Sequence, residues 1–459
     1  MAEQIHIRDL NTLRVRGLIQ ADRLARATRR LARRLRDGEV GDPLRSGPWH
    51  WPPLLAWSGL WFAAKAVRGG QSWHFAVQGA HLLWNGAGHG RPPGGLHLFA
   101  HYPRLQSGPL TFALAEPLTR LSPHDGVVAA ELAMSLLGLL SLLALERAAF
   151  ALRPDVPRDR IRWTTLGGGM LLIPIWALTG VWFAHLDDVL ALAFAALAVW
   201  AAAAGRAGPL GACVAFSVDS KPWAAAFLPL LCALPGPVRR DTDRRRAAAV
   251  CLVLVAAAWL PFLLADPGSV EAARFTIANV PDSALRALGV HDPRTPGWDR
   301  SAQIAVGCAL GALAVWRGRW PAAVLLGVCA RIALEPNDYA YYFAGLLLGA
   351  LCWDLLAAVR PKPLTTLSVT ALIFALPALG VSARLDGNIK LWTMLGVAFA
   401  ALLAPAARTP KAAAEALPAP AAASFEPLLL AGLGDDLRRD LGGHGLVAQV
   451  FPSEDARAV

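Results

Sequence analysis

The chain has 459 residues, 55% of them hydrophobic and only 17% charged, with a mean hydropathy of +0.42 and a formal net charge of +11. So much apolar surface exceeds what a water-soluble domain hides, which excludes an ordinary soluble enzyme and leaves one large helical membrane domain. A nucleic-acid partner is set aside too: arginine outnumbers lysine 39 to 5, and the arginines sit in connections and termini, not along one face.

Residues 1–48 carry eleven arginines against six acids and are expected to be a cytoplasmic basic segment. The run from Leu10 to Arg36 is compatible with a basic amphipathic helix on an anionic leaflet, or with a retention signal that has no further task. No cleavable signal is expected, because the first apolar run follows this polar stretch.

Residues 49–405 read as a multi-pass, all-α membrane domain of about 12 segments (11–13). The apolar runs fall near 49–67, 125–146, 163–182, 189–204, 209–220, 222–235, 247–265, 301–316, 321–334, 340–357, 365–380 and 391–405. Several are shorter than the roughly 20 residues of a full crossing. With 103–123 kept outside as a proline-bounded re-entrant or surface segment, 31 Lys and Arg fall on inner segments and 11 on outer ones. Both termini are therefore expected in the cytoplasm, and the chain in a plasma membrane. Residues 406–459 begin as an Ala/Pro-rich linker and close in a short tail with a weak helix signal from Glu426 to Asp440. The six cysteines all lie in apolar runs without CxxC spacing and are read as buried free thiols.

Four groups of polar residues collect on the expected outer side, where an ionisable residue near the membrane needs a partner or a use. The loop from Arg68 to Pro109 has no Asp or Glu but five histidines, His74, His81, His89, His97 and His101. We read no metal-ligand spacing among them and expect a structural role for most. His185-Leu186-Asp187-Asp188 places two carboxylates at a helix start, either as dipole complements or as working groups. Asp219-Ser220-Lys221-Pro222 joins two short apolar runs, which puts Lys221 in a polar recess where it can meet a phosphate. Arg331 precedes Glu335 to Tyr342, which holds three of the four tyrosines and reads as an interfacial aromatic belt or an ion-pair network.

Taken in order, these motifs resemble the C-type (GT-C) glycosyltransferases, in particular the bacterial polyprenyl-phosphate-mannose-dependent alpha-mannosyltransferases and their actinobacterial relatives. The resemblance runs from about Trp73 to Leu356. Trp73 to Ala80 stands where that family has an Asp-containing outer segment, and Tyr102-Pro103-Arg104-Leu105 where it has Tyr-Pro-Pro-Leu. Lys221-Pro222 leading to Pro229 resembles its Lys-x-x-Pro element, and Glu335 to Tyr342 its late outer turn.

The resemblance implies inverting transfer of a hexose, mannose by the family, from a polyprenyl-phosphate donor to a lipid or cell-envelope glycan acceptor. It implies no cofactor, with room left for a divalent metal, and membrane lipid as the surroundings. One departure stands out: His74 occupies the place of the family's Asp. Asp187 or Asp188, with His74 as alternative, are then the expected base, and Lys221 and Arg331 the expected phosphate ligands. Tyr102, Gln106, Asp338 and Tyr341 are expected to bind substrate. The rivals are a non-catalytic scaffold of the same fold and a transporter or flippase of lipid-linked intermediates; a transporter should show internal repeats, and none is evident.

Overall fold

The computed structural model describes residues 47–407 except 87–91, 122–125, 235–239 and 376. Residues 1–46 of the expected basic N-terminal segment, His89 and residues 408–459 of the expected C-terminal tail lie outside the described residues. Within them every regular element is helical. In chain order these are α1 (Trp51–Ala66), α2 (Trp73–Asn85), α3 (Leu98–His101), α4 (Pro109–Thr119), α5 (Val127–Leu152), α6 (Arg158–Ala177), α7 (Leu186–Ala203), α8 (Ala207–Ser220), α9 (Arg240–Ala265), α10 (Ala284–Ala287), α11 (Asp299–Trp316), α12 (Ala323–Ala333), α13 (Phe343–Leu356), α14 (Leu364–Thr370) and α15 (Ala383–Leu403). Tighter or wider helical turns complete several of them, notably Leu178–Trp182 after α6 and Pro222–Cys232 after α8.

By length and composition, four helical stretches among the described residues are able to cross a bilayer: Val127–Leu152, Arg158–Trp182, Leu186–Ala203 and Asp241–Ala265. The expected count of about 12 is thus matched only in part. Pro222–Cys232, Trp320–Ala333, Ala340–Leu356 and Leu364–Phe374 are apolar but short. At 1.5 Å per residue the 16 residues of α1 reach about 24 Å, against a hydrocarbon core of about 30 Å.

α7 and α13 form the centre. Every residue of α13 is buried, and α7 hides its alanine-rich length against α5 and α8. Small side chains let helices approach closely, the packing rule where lipid tails compete poorly with tight van der Waals fit. From Ala247 onward α9 is apolar all round yet mostly unburied, with Leu252 71% and Leu264 74% exposed. An apolar surface of that kind belongs against lipid or a partner, not water.

The connections sort to two ends. At one, Arg153 donates to the Ala358 and Val359 carbonyls (2.8 and 3.3 Å), Arg319 to that of Ala401 (3.2 Å), and Ala407 N–H to that of Ala357 (2.8 Å). All these lie in or beside the segments expected inside. At the other end Gly108 N–H donates to Ser220 O (2.8 Å) and Gly70 N–H to Val181 O (3.0 Å). α4 starts there, and at 11 residues it is too short to cross, in keeping with a segment that stays on one side. Cys251, Cys329 and Cys352 are buried as expected; Cys213 and Cys308 are half-buried and Cys232 is exposed, because its helical stretch turns that face out of the bundle.

Candidate active site

A cavity of about 430 Å³ opens at the second end. Its polar floor is built at the start of α7. The chain leaves α6 through the wide turn Leu178–Trp182 and reverses at Ala184, the one non-glycine residue of positive φ (53°) among the described residues. A left-handed alanine costs roughly 1–2 kcal/mol, so packing must hold this turn. It delivers His185, Asp187 and Asp188 to the cavity.

Both aspartates are buried and engaged. Asp187 pairs with Lys221 and accepts from Ser107 Oγ at 2.7 Å, and its Oδ1 caps the Asp188 N–H at 2.9 Å. Asp188 Oδ1 accepts from Arg331 Nη1 at 2.9 Å and from Trp223 Nε1 at 3.1 Å. Its Oδ2 has no hydrogen-bond partner among the described residues, with Lys221 Nζ 3.9 Å away.

The cations are positioned by helix ends. Lys221 is extended between α8 and the Pro222–Cys232 stretch, because Pro222 disfavours a helical conformation before it. Arg331 lies in the last turn of α12, its guanidinium stacked between the rings of Trp223 (4.1 Å) and Tyr342 (4.3 Å). Its Nε is 3.8 Å from Glu335, which also meets Arg300 at 3.4 Å. Tyr341 stacks on His185 with ring centres 4.0 Å apart.

The cavity therefore gathers Asp187, Asp188, Lys221, Arg331, Gln106 and Tyr341. Three expected residues stand elsewhere. His74 is exposed on α2, its Nδ1 3.0 Å from the Gln71 carbonyl, in a separate recess. Tyr102 lines that same recess and donates to the Pro92 carbonyl at 2.9 Å. α2 turns Phe75 and Ala76 toward the cavity, so its helical period sends His74 the other way. Asp338 is occupied by Lys390 at 2.5 Å beside Asp386 and does not line the cavity. Burial lifts the Asp338 carboxyl above its usual range while the Lys390 ammonium opposes the rise.

Among the lining residues that sequence reasoning did not single out are Ser107, Trp223, Arg300 and Arg104. The guanidinium of Arg104 has no ion-pair or hydrogen-bond partner among the described residues, although it faces the cavity. The available signal was its place in Tyr102-Pro103-Arg104-Leu105 beside an expected substrate residue. The lining carries Arg104, Lys221, Arg300 and Arg331 against Asp187 and Asp188, and Glu335 behind it pairs with Arg300 and Arg331, which leaves a surplus of one positive charge. Such a surplus favours an anionic ligand. The remaining wall is apolar, with Phe99, Trp259, Leu263, Val270 and Ile304. Trp259 and Leu263 belong to α9, the helix that turns most apolar surface outward. No known protein family matches the chain, and no curated protein matches it.

Proposed function

We propose that this protein is a membrane-embedded glycosyltransferase of the C-type class, moving a hexose from a polyprenyl-phosphate donor to a lipid or glycan acceptor by inversion. The observation that carries the reading is one cavity with two buried carboxylates, a surplus of cations and an apolar wall formed in part by α9. The donor has the same division, with a charged phosphate and sugar at one end and a long hydrocarbon at the other.

In this reading Arg104 and Lys221 take the donor phosphate. Lys221 exchanges its bond to Asp187 for the phosphate, which leaves Asp187 free to accept the proton of the acceptor hydroxyl. The new glycosidic bond forms at the anomeric carbon as the bond to the phosphate oxygen breaks on the opposite face. The cations hold the charge that develops on the leaving phosphate in a site shielded from bulk water. Asp188 holds Arg331 and Trp223 in place, so it is a positioning residue.

Lys221→Ala and Arg104→Ala are each expected to abolish binding of polyprenyl-phosphate mannose, and Lys362→Ala, an exposed residue at the other end, to leave it unchanged. Asp187→Asn should bind donor and lower transfer by about 100- to 10,000-fold, the range of a positioned base. His74→Ala should transfer normally. Equal donor affinity in Lys221→Ala, Arg104→Ala and Lys362→Ala would remove the phosphate assignment. Donor binding without transfer in any variant, wild type included, would favour the non-catalytic scaffold.

A further inference from the structure

Outside the polar floor of the cavity, one cluster combines ligand chemistry with ligand spacing. His97 and His101 are four residues apart, a His-x-x-x-His spacing, so the expectation that the loop carries no metal-ligand spacing does not hold. They flank one helical turn made of Gly95–His97 and α3, so both rings leave the same face. The third member is Asp266, directly after α9.

We propose that His97, His101 and Asp266 form a divalent metal site, with Zn²⁺ as the preferred ion. Asp266 Oδ2 lies 3.3 Å from His97 Nδ1 and 3.7 Å from His101 Nε2, and the three ligand atoms all fall within 4.8 Å of one another. Tetrahedral zinc with bonds of about 2.0–2.1 Å places its ligand atoms about 3.3–3.4 Å apart, close to both histidine-to-carboxylate spacings. A modest turn of two partly exposed imidazoles closes the remaining gap. Two imidazoles and a carboxylate are borderline ligands that suit zinc better than calcium or magnesium, which take oxygen.

The surroundings hold this geometry in advance. Gly268 N–H donates to Asp266 Oδ1 at 2.9 Å, so the carboxylate is oriented with Oδ2 toward the histidines. That is the part an outer-shell hydrogen bond plays in metal sites. Phe99, between the two histidines in sequence, is fully buried, with its ring 5.1 Å from Trp259 and 4.9 Å from Phe262 of α9. The aromatic contact pins the turn from beneath and leaves both imidazoles on the open side.

The other two such clusters among the described residues already hold cations. Lys221 and Arg331 neutralise Asp187 and Asp188, and Lys390 sits between Asp338 and Asp386. The His97 cluster has no lysine or arginine paired to it among the described residues. The cluster is open to solvent on one side, with His97 43% and His101 39% exposed. An ion there would tie the turn that leads into Arg104–Ser107 to the end of α9, two walls of the cavity.

This inference is independent of sugar transfer, and its test needs no donor. The full chain is purified in detergent, stripped with a chelator and titrated with Zn²⁺ alone and with Co²⁺ alone. We expect one equivalent at micromolar free ion, with the visible absorption of tetrahedral Co²⁺. His97→Ala and Asp266→Asn should lose that equivalent, while His74→Ala and Asp187→Asn keep it. His101→Cys should retain the ion and add a thiolate-to-Co²⁺ charge-transfer band, a signature that a merely structural histidine would not produce. It also decides the matter should an alanine variant fold poorly. No bound ion in the wild type, or an equivalent that persists in a His97→Ala, His101→Ala double variant, would overturn the proposal and leave a plain histidine–aspartate contact.

Discussion

The residues of the cavity floor depend on one another more than on the solvent. Arg331 is 6% exposed and touches Asp188, Trp223 and Tyr342 at once, so its removal leaves a buried carboxylate with the Trp223 N–H and the more distant Lys221 ammonium. Breaking a buried pair from one side typically costs about 3–5 kcal/mol, whereas removing both partners is far milder. Arg331→Met is therefore expected to destabilise by that amount, and Arg331→Met with Asp188→Asn by clearly less than the sum of the two single changes. Thermal unfolding in detergent, read as a double-mutant cycle, measures the coupling; additive effects would mean that the pair contributes nothing beyond its separate parts. Arg331→Lys restores the charge without the flat guanidinium that stacks between two rings, so it should recover only part of the loss.

Among the elements, close approach between helices is what brings the charged ends together. A Cβ placed on Gly349 of α13 would stand 2.6 Å from Leu325 Cα and 2.8 Å from Leu325 N of α12. These are backbone atoms, and no rotamer change relieves them. Because α12 carries Arg331 at its far end, forcing α12 and α13 apart also shifts the guanidinium. Gly349→Ala is expected to destabilise by about 1–3 kcal/mol as an overpacking change. Gly59 of α1 has nothing within 4 Å of such a Cβ, and Gly59→Ala should be neutral or stabilise by up to about 1 kcal/mol through helix propensity. Equal melting temperatures for the two variants would show that α12 and α13 are not held at this spacing.

For the whole molecule, the charge asymmetry between 31 inner and 11 outer Lys and Arg predicts which end of the bundle faces the cytoplasm. The connections around Arg153, Arg319 and Ala407 converge at one end, and the cavity lies at the other. Exposed His291 and exposed Thr242 serve as reporters for the two sides; Ser283, also in the expected outer segment, is buried because it caps α10. In a Cys232→Ser background, His291→Cys should react with an impermeant thiol reagent applied outside intact cells and Thr242→Cys should not. The reverse pattern would put the cavity on the cytoplasmic face.

The helical class, the apolar segments and the interest of Asp187, Asp188, Lys221, Arg331, Gln106 and Tyr341, which the structure gathers around one cavity, were legible before folding. Their signals are local: apolar runs follow from composition, and an ionisable residue in or beside such a run is too costly to keep without a partner. Nothing local says which partner. Ser107 meets Asp187 across 80 residues and Arg331 meets Asp188 across 143, and those pairings exist only once α7, α8 and α12 have packed. Packing also decided that α2 turns His74 away, that Tyr102 and Asp338 bond elsewhere, and that Arg104 faces the cavity. The same holds for the apposition of His97 and His101 with Asp266: the helical spacing of the two histidines was written in the chain, but the carboxylate comes from the end of a helix 165 residues beyond His101, and only the tertiary structure sets it there.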